Sequence, residues 1–191
     1  MPGRGEAELT LWAETTREMV WTPALDGQAA ADFAVIGAGY AGLSAALTLS
    51  ASGARVAVLE AETPGAGASG RNAAGLAGIW AGHDPARILE MFGAERGGRM
   101  NALVARSPRL VGDLIARHGI DADLRMNGML IGANDPAAAD RLQAAARDWT
   151  ALQNPMDWLG AAEFAAASGS DRYRGGLFLH AAGTLNPLSY A

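Results

Sequence analysis

The chain has 191 residues, of which 50% are apolar and 18% charged, and its formal net charge is −5. These values are typical of a globular protein with at least one sizeable core, and they argue against a nucleic-acid-binding or anionic-membrane surface. Cysteine is absent and all 15 cationic side chains are arginines, which excludes thiol nucleophiles, thiolate metal sites, disulfides and a Schiff-base or phosphate-loop lysine.

Residues 1–31 are predicted to form an irregular arm in front of the folded part of the chain. They include several glutamates but no continuous apolar core, so neither a signal peptide nor a membrane span is predicted, and we expect a cytoplasmic protein. Trp12 and Trp21 are expected to fix the arm to the domain surface. Since cysteine is absent, any redox chemistry must come from a bound cofactor.

A short strand, a glycine turn and the start of a helix are predicted in succession after the arm. In the run Gly37-Ala-Gly39-Tyr-Ala-Gly42, the first glycine permits a tight turn, the second lets the backbone approach a pyrophosphate, and the third lets the helix pack closely on its strand. The unpaired N–H groups at the helix start would face the phosphates. The predicted dinucleotide-binding residues are Gly37, Gly39, Tyr40, Ala41 and Gly42.

A second strand is predicted over residues 55–60, with an acidic residue at its end. Gly53 stands between the helix and this strand, where a left-handed helix cap is expected. Glu60 lies about 20 residues beyond Gly37, where a carboxylate accepts hydrogen bonds from a ribose 2′-OH and repels a 2′-phosphate. We predict that Glu60 binds the ribose; a solvated carboxylate at a strand end is the alternative.

The next segment, residues 62–80, is dominated by glycine and alanine, so it can pass very close to another backbone or to a ligand. It holds a second match to the glycine pattern, at Gly65, Gly67 and Gly70. That match follows a Thr-Pro pair instead of a strand, and no helical apolar stripe succeeds it. It is therefore not interpreted as a second dinucleotide turn.

Helices and strands are predicted in a less regular order further along the chain. One helix is expected to open at Asp84-Pro85 and to weaken at Gly97-Gly98, and another to run from Ser107-Pro108 to His118. A hairpin is predicted around Asn127-Gly128. The remaining predicted elements are a helix over residues 136–152, a strand at 158–159, a short helix near Glu163 and a strand over 176–181.

The final residues suggest a helix that has only begun. Asn186-Pro187 is a plausible cap and first residue, but four residues cannot sustain a helix, so we expect an interrupted fold; a capped turn packed on the body is the alternative. The predicted fold is an incomplete α/β one, with a Rossmann-like βαβ unit, then helices and the start of a β-rich domain. Its predicted parts are the arm (1–31), the dinucleotide-binding part (32–119), part of a substrate domain (120–185) and a truncated helix (186–191).

The segment Gly67-Ala-Ser69-Gly-Arg71-Asn72, downstream of the glycine turn and Glu60, resembles the FAD-dependent amine and amino-acid oxidases of the D-amino-acid oxidase superfamily. The likeness is greatest to the γ-glutamylputrescine oxidase-type branch. It spans nearly the whole chain but only the N-terminal part of such enzymes. Further matching segments are residues 11–13, 118–125, 128–130 and 183–190.

This resemblance implies that Ser69, Arg71 and Asn72 line the flavin side of FAD near its pyrophosphate, ribityl chain or ring. Arg71 can neutralise phosphate charge, and Ser69 and Asn72 can add hydrogen bonds without much bulk. A surface turn with a solvated arginine is the alternative. Some relatives bind flavin covalently through a histidine that Asn72 replaces, so non-covalent FAD is expected. Ala73-Ala74 stands where this branch often has glycine, so the resemblance does not predict how closely the flavin approaches this loop.

No catalytic residue and no metal ligand can be nominated. The three histidines, His83, His118 and His180, have no metal-ligand spacing, and only His180 is retained as a substrate-facing candidate. The predicted function is FAD-dependent oxidation of a small amine or amino acid to an imine, by hydride transfer to the flavin. An NAD-dependent dehydrogenase and a non-catalytic nucleotide-binding or interaction fragment are the alternatives.

Overall fold

The computed structural model of the protein describes residues 10–17 and 20–191. The remaining part of the predicted arm, residues 1–9 and 18–19, lies outside the described residues. The chain divides into two compact units, each assembled from more than one stretch of sequence. The first unit comprises Met1–Ala74, His118–Asp123 and Leu185–Ala191; the second comprises Gly75–Arg117 and Leu124–Thr184.

The helices and strands follow one another as a mixed α/β sequence. In chain order they are α1 (Leu11–Thr15), β1 (Phe33–Ile36), α2 (Tyr40–Ala51), β2 (Val56–Leu59), β3 (Gly75–Leu76), α3 (Pro85–His118), β4 (Met129–Gly132), α4 (Pro136–Ala151), β5 (Met156–Gly160), α5 (Ala161–Ser168), β6 (Gly175–Leu179), β7 (Gly183–Thr184) and α6 (Pro187–Tyr190). A short 3-10 turn, Ala68–Gly70, lies between β2 and β3.

The first unit is built on the predicted strand–helix–strand arrangement, which the structure confirms. β1 and β2 pair in parallel, with Phe33 opposite Val56, and α2 connects them. An ion pair fixes the start of both strands, because Asp32 Oδ1 lies 2.9 Å from Arg55 Nη2 and Asp32 Oδ2 accepts the Arg55 backbone N–H at 2.9 Å. The arginine also holds the pKa of the Asp32 carboxyl below its usual value. Gly53 follows α2 with a φ of 90°, as its predicted capping position requires.

The second unit contains a three-stranded antiparallel sheet in the order β4-β6-β5. β6 is the middle strand, and its Leu177 and Leu179 are the most buried apolar side chains of the sheet. These two residues form a core with Ala146 of α4 and with Ala182. The predicted hairpin at Asn127-Gly128 is therefore wrong. β4 pairs with β6 instead, and Arg125 forms a bridge with Thr184.

The long helix α3 differs from its prediction. The helical path is interrupted at Gly93, where φ is 76° and ψ is 163°, and neither at Gly97-Gly98 nor at Ser107. Gly97 instead permits a close approach, since a Cβ there would lie 2.9 Å from the Ile88 carbonyl oxygen. Gly97 is thus needed for packing across the kink, and Gly93 provides the positive φ that makes the kink.

Other elements agree closely with the sequence pattern. α4 begins at Pro136 after the cap Asp135, whose Oδ1 accepts the Ala138 N–H at 2.7 Å, and it ends at Ala151. β5, α5 and β6 lie where a strand, a short helix and a strand were predicted. Across the described residues, no helix combines the length and apolar character that crossing a membrane requires.

The ends of the described chain meet within the first unit. Asn186 caps α6, because its Oδ1 accepts the N–H groups of Leu188 and Ser189, each at 3.0 Å. Trp12 of α1 is partly buried and hydrogen-bonded, as expected of a residue that fixes the arm. The same expectation for Trp21 is wrong, since this residue is 83% exposed.

Candidate cofactor-binding site

The glycine turn between β1 and α2 has the geometry of a close backbone approach. Gly37 has a φ of 96°, and its N–H donates to the Leu59 carbonyl at 2.7 Å, which ties the turn to the end of β2. A Cβ at Gly42 would collide with the Gly37 carbonyl oxygen and lie 3.2 Å from Val35 Cγ1. Two of the predicted glycine roles, the tight turn and the close helix–strand packing, are therefore visible in the structure.

The amino-terminal end of α2 has backbone N–H groups without acceptors inside the helix. Gly39 is the N-cap and supplies no side-chain hydrogen bond, and the first intrahelical bond runs from Leu43 N–H to the Gly39 carbonyl at 2.9 Å. The N–H groups before Leu43 lack intrahelical acceptors, and the helix dipole adds positive potential there. Ser69 lies at this end, since its Oγ accepts the Tyr40 N–H at 3.0 Å.

Glu60 lies beside the glycine turn. Its Oε2 accepts the Ala38 N–H at 2.7 Å, and its Oε1 accepts the Glu62 N–H at 3.1 Å. These backbone donors, that of Ala38 above all, hold the pKa of Glu60 below its ordinary value of 4.5. The carboxylate is partly exposed, and each oxygen can accept a further hydrogen bond. Glu60 thus shapes the turn and still has acceptor capacity for a ligand hydroxyl.

The loop after the 3-10 turn is organised by Asn72. Its Nδ2 donates to the Ser69 carbonyl at 2.7 Å, and its Oδ1 accepts the Ala74 N–H at 2.8 Å. Arg71 lies next to it with an exposed side chain. The structure therefore brings Ser69 to the start of α2 and uses the Asn72 side chain to fold the loop, a local role that the resemblance did not indicate.

Ala74 adopts a conformation that glycine accepts more readily. Its φ is 63° and it is only 4% exposed, so a buried alanine occupies the left-handed region. Such a conformation costs a non-glycine residue roughly 1–2 kcal/mol. The Asn72 Oδ1 contact on one side and the Leu185 N–H, which donates to the Ala74 carbonyl at 3.2 Å, hold the residue there. Ala74 belongs to the Ala73-Ala74 pair for which the resemblance leads us to expect glycine.

We predict that Ala74→Gly will raise the thermal unfolding midpoint by about 1–2 °C, because relief of the backbone strain exceeds the added chain entropy. The control is Ala73→Gly, which changes an exposed neighbour without a positive φ and should lower the midpoint slightly. Calorimetry of the two variants checks this difference. Equal destabilisation by both would show that Ala74 is not strained.

Tyr40 connects the glycine turn to the last residues of the chain. Its hydroxyl donates to the Pro187 carbonyl at 2.9 Å, and its ring meets Tyr190 edge to face with centroids 5.1 Å apart. Burial raises the pKa of Tyr40 above its usual value, so the hydroxyl stays protonated and acts as a donor at neutral pH. The sequence pattern that predicts Tyr40 as a cofactor-binding residue does not indicate these contacts, because Pro187 and Tyr190 lie far from it along the chain.

One histidine forms a close pair with a carboxylate in the second unit. Among residues 10–17 and 20–191, no three His, Asp or Glu side chains are grouped so that they could hold a metal ion. His180, in the second unit, lies 2.8 Å from Asp157 Oδ2 and packs edge to face on Phe178. No spacing along the chain indicates this pair, because Asp157 reaches His180 only through the β5–β6 pairing. The substrate-facing role of His180 stays a prediction.

Comparison with known families and proteins gives a consistent result. The model of the DAO family, described as FAD dependent oxidoreductase, matches residues 32–191. Gamma-glutamylputrescine oxidoreductase of Escherichia coli is 34% identical over 161 residues, which cover 84% of this chain and 37% of that protein. The probable oxidoreductase OrdL of Haemophilus influenzae is 31% identical over 163 residues, with the same coverage of 84% and 37%.

Solved structures share the fold. Glycine oxidase from Geobacillus kaustophilus matches with a TM-score of 0.63 at 24% identity, covering 84% of this chain and 42% of that one. L-amino acid deaminase from Proteus myxofaciens matches with a TM-score of 0.70 at 18% identity, covering 89% and 37% respectively. The chain therefore spans less than half the length of the relatives it matches.

Proposed function

Because this chain belongs to the DAO family of FAD dependent oxidoreductases, we propose that it provides the FAD-binding turn of an enzyme that oxidises an amine or amino acid to an imine. The observation that carries the proposal is the convergence of three features on one end of α2. Within the glycine turn, the Ala38 N–H donates to the Glu60 carboxylate, and the Tyr40 N–H donates to the Ser69 hydroxyl oxygen.

The arrangement suits a dinucleotide because Ser69 lies close to the backbone of the glycine turn. A Cβ at Gly39 would lie 2.9 Å from Ser69 Oγ, so a residue with a side chain would displace Ser69 from the start of α2. We propose that the pyrophosphate binds there, with backbone N–H groups and the Ser69 O–H as donors. Glu60 would accept hydrogen bonds from the adenosine ribose, and Arg71 would neutralise phosphate charge.

The proposed reaction places the redox step on the cofactor. When bound, FAD would supply the redox chemistry, as acceptor of a hydride from the carbon that carries the nitrogen. The names of the relatives, gamma-glutamylputrescine oxidoreductase, glycine oxidase and L-amino acid deaminase, support a substrate with an amino group. Its neutral form would react, since a protonated amine has no lone pair to stabilise the developing imine. Residues 32–119 would serve FAD binding and residues 120–185 part of the substrate module, in a cytoplasmic enzyme.

We predict that FAD binds without a covalent link, because Asn72 carries no nucleophile for the flavin and its side chain is engaged within the loop. The full-length protein should be yellow, and acid precipitation should leave the colour in the supernatant. Flavin retained on the precipitated polypeptide would contradict this. A colourless protein that binds NAD would instead favour the dehydrogenase, and one that binds neither nucleotide the non-catalytic alternative.

The reaction class can be tested by anaerobic mixing of the full-length flavoprotein with amines, amino acids and 2-hydroxy acids. We expect bleaching of the flavin band by at least one amine or amino acid, with a rate that rises with pH as the substrate amine loses its proton. Bleaching only by hydroxy acids or reduced nicotinamides would reject amine oxidation, although the FAD assignment would survive.

A further inference from the structure

Four segments of the first unit are joined by a closed set of hydrogen bonds. They are the helix α1, the start of α2, the loop at Asn72 and the C-terminal segment that contains α6. We call this set the terminal clasp. Its members are Trp12, Thr15, Tyr40, Ser69, Asn72, Asn186 and Pro187.

One side of the terminal clasp runs from α1 to the glycine turn. The indole Nε1–H of Trp12 donates to the Asn72 carbonyl at 3.0 Å. The Asn72 Nδ2 donates to the Ser69 carbonyl at 2.7 Å, and the Ser69 Oγ accepts the Tyr40 N–H at 3.0 Å. Three consecutive hydrogen bonds thus connect Trp12 with the first residue of α2.

The other side returns through the C-terminal segment. Asn186 Nδ2 donates to the Trp12 carbonyl at 3.1 Å and to Thr15 Oγ1 at 3.0 Å, so α1 is held directly on the cap of α6. The Tyr40 hydroxyl then donates to the Pro187 carbonyl at 2.9 Å. The loop is therefore held from both ends of the described chain, and Ala74 is bonded to Asn72 on one side and to Leu185, the neighbour of Asn186, on the other.

We propose that Trp12 is a positioning residue of the cofactor site. This inference rests on the proposed function, since it gives α1 the task of holding the loop that presents Ser69 to FAD. Trp12 acts through Asn72 and does not itself contact the dinucleotide. When the indole N–H is removed, the Asn72 carbonyl loses its donor, and the Asn72 residue whose side chain bonds Ser69 and Ala74 is held less firmly.

The test compares Trp12→Phe with Trp21→Phe in the full-length protein. The first variant keeps an aromatic ring but removes the N–H donor, and the second makes the same change at a residue that is 83% exposed. Trp12→Phe should weaken FAD binding about three- to tenfold, the loss expected for one hydrogen bond. It should also alter the visible circular dichroism of the bound flavin, while Trp21→Phe should match the wild type in both measurements.

A second measurement uses the cofactor-free protein. In hydrogen exchange, Trp12→Phe should reduce the protection of the Tyr40 and Ala74 amides, which donate to the side chains of Ser69 and Asn72, and leave the amides of β1 and β2 unchanged. Protection and FAD affinity equal to those of Trp21→Phe would overturn the proposal. Failure of the wild-type protein to bind FAD would reject the proposed function instead, and the exchange measurement would still decide whether Trp12 positions the loop.

Discussion

Gly42→Ala should strongly weaken FAD binding in the full-length protein. The added Cβ would collide with the Gly37 carbonyl oxygen and approach Val35 within 3.2 Å, so either the turn must open or α2 must move away from β1. Both changes displace the N–H groups that we propose bind the pyrophosphate. Because the obstructing atoms are backbone and a packed side chain, no rotamer change can relieve the clash.

We expect at least a hundredfold loss of FAD affinity in this variant, roughly 3 kcal/mol in binding free energy. The control is Gly53→Ala at the opposite end of α2. It forces alanine to a φ of 90°, but no atom lies within 4 Å of the added Cβ. It should cost about 1–2 kcal/mol of folding free energy from backbone strain and leave FAD affinity unchanged. Retention of flavin by Gly42→Ala would show that the turn does not hold the cofactor.

The part of this site that the sequence could predict is the part whose residues are neighbours along the chain. Gly37 and Gly42 are close in sequence, and the conformational requirements of a turn followed by a helix constrain them directly. The parallel pairing of β1 with β2 follows, because a short helix between two apolar strands favours that crossover. Local pattern and spacing were sufficient for this unit.

The contacts that the sequence could not predict join residues far apart along the chain. Trp12 reaches Asn72 across 60 positions, and Asn186 reaches Trp12 across 174. No periodicity relates such residues, and their polar side chains are equally compatible with solvent exposure. The hairpin prediction failed for a related reason: Asn127-Gly128 satisfies a local turn rule, but β4 gains more apolar contact by pairing with the distant strand β6.

Ala74 is a position where a local conformational requirement and contacts with distant residues act together. The resemblance predicts glycine at Ala73-Ala74, and Ala74 has a φ of 63°, a conformation that glycine adopts more readily than alanine. The alanine is tolerated because Asn72 and Leu185 hold the backbone from opposite sides. The same contacts connect the loop to the terminal clasp, so the substitution makes the local conformation more dependent on distant residues.

Glu60→Ala should weaken FAD binding by roughly ten- to a hundredfold, the loss expected when hydrogen bonds to a charged acceptor are removed. The variant loses the proposed ribose contact and also the acceptor for the N–H groups of Ala38 and Glu62, which shape the turn. Glu62→Gln is the control, since it removes a carboxylate from an exposed side chain two residues away and should bind FAD like the wild type. Equal affinities of Glu60→Ala and the control would assign Glu60 no part in the site.

The pH dependence of FAD affinity tests whether the charge of Glu60, and not only the shape of its side chain, supports binding. Because backbone donors hold the pKa of Glu60 below 4.5 in the folded protein, the carboxylate is charged at neutral pH and its contribution is fully present above that value. It is lost as the pH falls through the lowered pKa. The difference in FAD affinity between the wild type and Glu60→Gln should therefore be constant from pH 7 to about pH 5 and shrink at lower pH. Fluorescence titration of FAD with both proteins measures this difference in affinity. A difference that grows as the pH falls would mean that the neutral form of Glu60 supports binding.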